Sequence, residues 1–302
     1  MRSNMKRFIT GLILAALLAT GTAAAGKYAA DTVSTFAQQK NQEKALLVQE
    51  RIQETVTLLE SLSTDPYIRS QKNSYQEKAA LLTDKNQNEN LGYMMLRILD
   101  AEINIYREDI GLASNLASRD YMQKLYTTGK TQVTDAFLAG ADGKTINYTV
   151  AVAIMENSQA AGALMAAIYG DEIDGYLTDE RSANVLVGSQ LQYMGGVSKE
   201  QFGLAVAQVL ENERNTTRPA ENILVDLNEH KSGSFWSLGS HIQYVAYTPV
   251  EGTNWSVMTE VRVLPIVRNI LIIYGCGAAV LLVSGILLLR PKKNRQEKTR
   301  PR

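Results

Sequence analysis

The chain has 302 residues, 31 basic and 31 acidic, and a formal net charge of zero, so no broad electrostatic footprint points to nucleic acid. A single cysteine excludes an internal disulfide framework, and two histidines, His230 and His241, are too few for a histidine-rich metal site. The stretch between its apolar ends must therefore rely on an ordinary hydrophobic core, which its length allows as one or two modules.

At the N-terminus Arg2, Lys6 and Arg7 precede the run FITGLILAALLATGTAAAG. Its short apolar core followed by small residues fits a signal peptide cleaved near Ala23 or Ala25. The absence of charge before Lys27 equally fits an uncleaved anchor over residues 8–26, the reading preferred here because the following helix would reach back to the membrane. From Lys27 to about Leu62, Val33, Phe36, Val48, Ile52, Val56 and Leu59 recur at helical spacing. A helix over 27–62 would be a strut of roughly 50 Å.

Asp65-Pro66 should end the strut, since the residue before proline is pushed out of the helical region. Further helices are expected over about Tyr75–Leu82 and Leu91–Leu99, then an alternating strand at Glu102–Tyr106. A short helix, Asp120–Thr127, closes on Gly129, where a left-handed cap is cheap. Tyr148–Met155 should pair with Gly162–Tyr169 across Glu156-Asn157-Ser158-Gln159. Ser198-Lys199-Glu200-Gln201 reads as a capping box opening a helix to Glu213, and a shorter helix reaches about His230. Strands follow at Gly233–Leu238, His241–Thr248 and Asn254–Val261, the last two joined by Pro249–Gly252.

Ile270–Leu289 is an uncharged run of twenty residues, matching the roughly 30 Å hydrocarbon core of a bilayer. Gly275, Gly277 and Gly285 are tolerated in such a span, and Cys276 reads as a small apolar filler. Arg290, Lys292, Lys293, Arg295, Lys298, Arg300 and Arg302 follow it. The positive-inside rule places both tails in the cytoplasm of a two-pass protein, with residues 27–267 outside.

In this order the residues resemble a double Cache extracytoplasmic sensor region, a PAS-like family found in bacterial transmembrane receptors. The membrane-distal signature is Ser118-Arg119-Asp120-Tyr121-Met122-Gln123-Lys124, then Gly129-Lys130, an apolar strand, and Gly162-Ala163-Leu164. The membrane-proximal signature is Ile242–Val250 with Gly252–Val257, followed closely by the second span. The resemblance implies an α+β fold: a long N-terminal helix and tandem antiparallel-sheet modules flanked by two transmembrane helices. The expected segments are a tail at 1–7, an anchor at 8–26, the strut at 27–62, a distal module at 63–180, a proximal and reduced module at 181–267, a span at 268–289 and a basic tail at 290–302.

The resemblance also implies a distal small-molecule pocket formed by Arg119, Tyr121 and Lys124 with the strand face around Tyr148 and Val150. A guanidinium offers a rigid fork of donors to a carboxylate, and a phenol adds shape and one hydrogen bond. The structural alternatives are a local pairing of Arg119 with Asp120 and a core position for Tyr121. Where amino-acid sensors of the family carry an aspartate, Ala167 stands here, and Asp171 is expected to cap the next helix. The proximal strand Ser182–Gly188 departs from the family pattern, and Trp255 reads as a core or membrane-interface packing residue.

No nucleophile with its base, phosphate loop or metal-spaced cluster accompanies the histidines, so no enzyme and no cofactor are expected. Asp100 and Glu102 read as a solvated acidic face. The expected function is small-molecule sensing and transmembrane signal input by a homodimer, in a receptor without its own output domain or with a separate membrane signalling partner. The alternative is a non-catalytic membrane scaffold with an empty cleft.

Overall fold

A computed structural model of the chain describes residues 2–139, 143–212, 216–238 and 241–289. The chain divides into two compact units, one comprising residues 37–261 and the other the segments at both chain ends.

The terminal unit contains the start of α1 (Arg2–Ser63) and the whole of α8 (Val263–Leu289). Both helices are long and apolar enough to cross a membrane. The two pack where side chains are small: a Cβ added at Gly21 would lie 3.4 Å from the Tyr274 ring, and one at Gly285 would lie 2.8 Å from Leu14. The Tyr274 hydroxyl donates to the Leu18 carbonyl at 3.2 Å and also pairs with the Thr22 hydroxyl. Gly275 and Gly277 have open space around them, and Cys276 is exposed. The basic tail lies outside the described residues.

In the other unit α1 is amphipathic: Ala45, Val48, Ile52, Leu59 and Leu62, at helical spacing, are buried in one cluster. The helix stops at Ser63 because Asp65 takes an extended conformation before Pro66 and caps α2 (Pro66–Arg69), accepting from the Tyr67 and Ile68 amides. Next, α3 (Tyr75–Asn88) opens on a reciprocal capping box between Ser74 and Glu77.

The first sheet comprises β1 (Met95–Leu99), β2 (Asn104–Arg107), β3 (Gly111–Asn115), β4 (Gln132–Val133), β5 (Phe137–Leu138), β6 (Ile146–Glu156) and β7 (Gln159–Tyr169). Its order is β3-β2-β1-β7-β6-β4, with β5 also pairing β6. The hairpin between β6 and β7 turns on Asn157 and Ser158, both at positive φ, as a two-residue turn matched to strand twist requires. Between β3 and β4 lies α4 (Asp120–Thr128), closed by Gly129 at φ 66°, whose amide donates to the Leu125 carbonyl. Leu91–Leu99 is not helical: its last five residues form the interior strand β1. Its sequence, Met-Leu-Arg-Ile-Leu, is apolar at four of five positions, so the apolar pattern of so short a run does not separate strand from helix.

After α5 (Gly170–Leu177) the second sheet is built from β8 (Ala183–Val187), β9 (Tyr193–Gly195), β10 (Gly233–Leu238), β11 (Ile242–Val250) and β12 (Trp255–Arg262), in the order β10-β11-β12-β8-β9. Helices α6 (Val206–Asn212) and α7 (Ala220–Asn228) contribute to the cluster on one of its faces. Ser198 and Gln201 do interact, the Ser198 amide donating to Oε1 of Gln201. The helix begins only at Val206, because Gly203 at φ 81° interrupts the turn; its expected end at Glu213 lies outside the described residues. Asp171 lies in the first turn of α5, with Tyr169 at the cap position.

One apolar cluster joins both sheets to α1: it holds Tyr148, Val150 and Leu164 from the first, and Leu186, Trp255 and Val257 from the second. Trp255 is a core residue, 1 % exposed, its ring 5.2 Å from that of Tyr148. A buried polar chain runs alongside. Asn41 Nδ2 on α1 donates to the Val257 carbonyl and to Thr259 Oγ1, Thr259 donates to Asn184 Oδ1, and Asn184 Nδ2 donates to the Leu177 carbonyl. Lys40 pairs with Asp179 at 3.1 Å and Arg51 with Glu172 at 2.7 Å, fixing α1 against α5 and the segment that follows it.

Candidate ligand-binding site

The first sheet is covered on its two faces by different elements, and strand alternation decides what each face presents. Tyr148, Val150, Val152 and Ile154 of β6, with Leu164, Ala166 and Ile168 of β7, belong to the cluster with α1. Ala151 and Ala153 of β6, with Ala163 and Met165 of β7, pack against Met122 and Leu125 of α4. The α4 face is therefore lined by small side chains, and the buried Asn147 and Thr149 share its parity. Thr149 is held in place by Thr134, whose Oγ1 accepts the Thr149 amide and whose own amide donates to the Thr149 carbonyl.

Of the five residues expected at the pocket, Arg119, Tyr121 and Lys124 lie together on or beside α4. Arg119 occupies the cap position without a side-chain cap bond and is exposed, as is Lys124. No ion pair joins Arg119 to Asp120 among the described residues. Tyr121 is half-buried against the α4-side cluster, and burial raises its phenol pKa despite the opposing pull of Arg119. Tyr148 and Val150 are fully buried on the opposite face, where the Tyr148 hydroxyl donates to the Met194 carbonyl at 2.5 Å. The fold thus divides the five between two faces, because a strand reverses its side chains at every residue. Thr149 and Ala151, one position along from those expected, are the β6 residues that face α4.

Ala167 of β7 stands opposite Thr149 in the register, so this stretch of the face carries no carboxylate. Asp100, expected on a solvated acidic face, is instead buried, 6 % exposed. Its carboxylate accepts from the amides of Glu102 and Asn104, from Asn104 Nδ2 and from the Tyr106 hydroxyl. Burial alone would raise its pKa, and these hydrogen bonds together outweigh that and lower it. The Tyr106 phenol is pushed up to about 12, by burial first and then by Asp100. Tyr126 of α4 donates to the Asp100 carbonyl at 2.5 Å, tying the helix to the end of β1. Sequence reading missed this network, although the Asp-x-x-x-Asn spacing of Asp100 and Asn104 is a turn signal.

Among the described residues no group of three or more His, Cys, Asp or Glu side chains is placed to hold a metal. His230 follows α7 at φ 53°, its amide donating to the Leu227 carbonyl, and His241 is exposed immediately before β11.

No protein-family model and no curated protein matches the sequence. Solved structures do match the fold. The ligand-binding domain of the Pseudomonas fluorescens chemoreceptor CtaA, in complex with L-isoleucine, aligns with TM-score 0.60 and 15% identity over 78% of this chain and 94% of that one. The periplasmic sensory domain of the Campylobacter jejuni chemoreceptor Tlp1 aligns with TM-score 0.57 and 14% identity, covering 76% and 94%. The ligand-binding domain of the Pseudomonas aeruginosa PAO1 chemoreceptor PctC, in complex with GABA, gives 0.57 and 14%, covering 75% and 98%. The chain thus has the fold of these domains, and the architecture expected from the double Cache resemblance is present: a long helix followed by two sheets, between two helices able to span a membrane.

Proposed function

We propose that residues 27–267 form an extracytoplasmic small-molecule sensor and that the two apolar helices cross the membrane and carry its signal, with both chain ends in the cytoplasm. The observation that carries this reading is the fold shared with ligand-binding domains of chemoreceptors, joined to two helices of membrane-spanning length. Its ligand would bind on the α4 face of the first sheet, contacted by Tyr121 and by Thr149 and Ala151, with Arg119 and Lys124 supplying positive charge at the rim. Two cations and a phenol suit a carboxylate-bearing molecule. With Ala167 on the same face, nothing in that stretch demands an ammonium group on the ligand. No catalytic step is part of this reading.

The receptor would act as a homodimer, with a ligand shifting the balance between two arrangements of differing affinity. The output module that reads the signal would be joined to the chain or carried by a separate membrane partner. A thermal-shift screen of the purified protein against carboxylates, amines, nucleosides and sugars tests the reading. A saturable shift with a carboxylate that Arg119→Ala weakens supports it. No shift with any small molecule, together with retained protein partners, would favour a membrane scaffold.

A further inference from the structure

One end of the second sheet carries exposed apolar side chains, and it is the end from which the chain enters α8. Leu238 closes β10 and Ile242 opens β11; the two are direct cross-strand partners, so their side chains share a face. They are 47 % and 56 % exposed. Strand parity sets them on the face opposite Phe235 and Val245, which belong to the cluster with α6 and α7. Trp236 and Tyr244, the next pair along their face, meet edge to face at 4.9 Å, Tyr244 buried and the Trp236 indole half-buried.

Chain connectivity ties this end to the apolar helix. Strands β11 and β12 are neighbours joined by the short segment 251–254, and Gln243 Nε2 donates to Glu260 Oε1, so the start of β11 stands beside the end of β12. Arg262 ends β12 and Val263 begins α8, with no linker between them. The uncharged run starts at Ile270, seven residues beyond Val263. Such a length of helix rises roughly 10 Å, and the headgroup layer of one leaflet is itself about 5–8 Å deep. That layer favours indole rings and the aliphatic side chains of surface-lying segments.

We propose that Leu238, Ile242 and Trp236 dock on the outer surface of the bilayer that α8 crosses, the aliphatic pair among the headgroups and the indole at their upper edge. The inference rests on the reading that α8 spans a membrane. Size identifies the occupant: two exposed aliphatic side chains and part of one indole fall far short of the roughly 800 Å² per partner that a stable protein interface buries. A lipid surface needs no such area, because the span already holds the sheet beside it and makes docking an intramolecular event. Docking would clamp the start of β11 to the membrane beside β12, the strand that continues into α8. Movement of β12 away from the bilayer would then have to lift this end off the lipid.

Trp236 and Trp255 are the chain's two tryptophans, so Trp255→Phe leaves Trp236 as the single indole. The test is quenching of its emission in the full chain, reconstituted in nanodiscs of phosphatidylcholine that carries a nitroxide on the headgroup. Quenching is expected. Leu238→Ser with Ile242→Ser should lose most of it, and Leu238→Phe with Ile242→Phe, which keeps the end apolar, should retain it. Trp236→Phe, which leaves only the buried Trp255, should show none. A bimane on Cys276, the single cysteine, read against a nitroxide deep in the acyl chain, reports separately on whether α8 lies in the bilayer. Quenched bimane with unquenched Trp236, or with Trp236 quenching unchanged by the serine pair, would overturn the docking and leave the span intact. Bimane and Trp236 both unquenched would overturn the span and the docking with it. Trp236 shielded from aqueous acrylamide yet untouched by nitroxide lipid would mean that a second copy covers this end, which also overturns the proposal.

Discussion

The indole Nε1 of Trp255 donates to Oδ1 of Asp135 at 2.9 Å. Trp255 opens the last strand of the second sheet, and Asp135 stands between two short edge strands of the first. The same carboxylate accepts the amide and the hydroxyl of Ser189. One side chain therefore serves three donors from the neighbouring module, beside the Tyr148–Trp255 ring contact.

Removing that acceptor should be costly. Asp135→Ala leaves the indole and the Ser189 amide without their partner, and a loss of about 2–4 kcal/mol in unfolding free energy is expected. Trp255→Phe keeps most of the apolar contact and should cost less. Chemical denaturation followed by circular dichroism would rank the two variants, and a negligible effect of Asp135→Ala would remove this contact from the account of how the sheets are joined.

Acid should act through Asp100. Its carboxyl pKa is lowered in the fold, so the stability it contributes is fully present above the unfolded carboxylate value of about 4 and is lost as pH falls through the lower folded value. The difference in stability between the unaltered chain and Asp100→Asn should therefore be constant near neutrality and shrink below about pH 4. A pH-independent difference would show that the charge on Asp100 does not matter to folding.

Gly196 tolerates no side chain. Its φ is 70°, and a Cβ there would lie 2.0 Å from the Asn184 carbonyl oxygen. Gly196→Ala should destabilise the protein by about 3 kcal/mol or more, since backbone on both sides would have to move. Thermal unfolding measures this directly. Gly143→Ala, also at positive φ but with open space around it, should cost only about 1 kcal/mol.

Between the apolar helices the Tyr274 hydroxyl has partners on α1. Tyr274→Phe should weaken the association of these helices by about 1 kcal/mol, the scale of hydrogen bonds between helices in lipid. Unfolding in mixed micelles titrated with a denaturing detergent would show an earlier transition for the variant.

The elements were legible where a local signal coincided with the tertiary role. Asp65-Pro66 stopped α1, Gly129 capped α4, and Asn157-Ser158 turned the longest hairpin, each through backbone chemistry that needs no partner. The edge strand β3 was not legible: four of its five residues are exposed, so no apolar alternation marked it. At the candidate site the parity of β6 was not legible. Both alternating sets of β6 are apolar or small, so the pattern could not say which faces α4, and only the packing of Met122 and Leu125 against Ala151 and Ala153 decides it. Asp100 looked solvent-facing because most of its donors, the amide and side chain of Asn104 and the hydroxyl of Tyr106, come from the paired strand β2.

The apolar cluster that α1 shares with both sheets rules out excising either sheet intact. A fragment ending at residue 180 would shed Leu186, Met194, Val250, Trp255 and Val257 from the packing around Tyr148, exposing greasy surface on both pieces. The two sheets are better pictured as two pages bound to one spine than as beads on a string, and a truncation designed at the seam should yield insoluble halves.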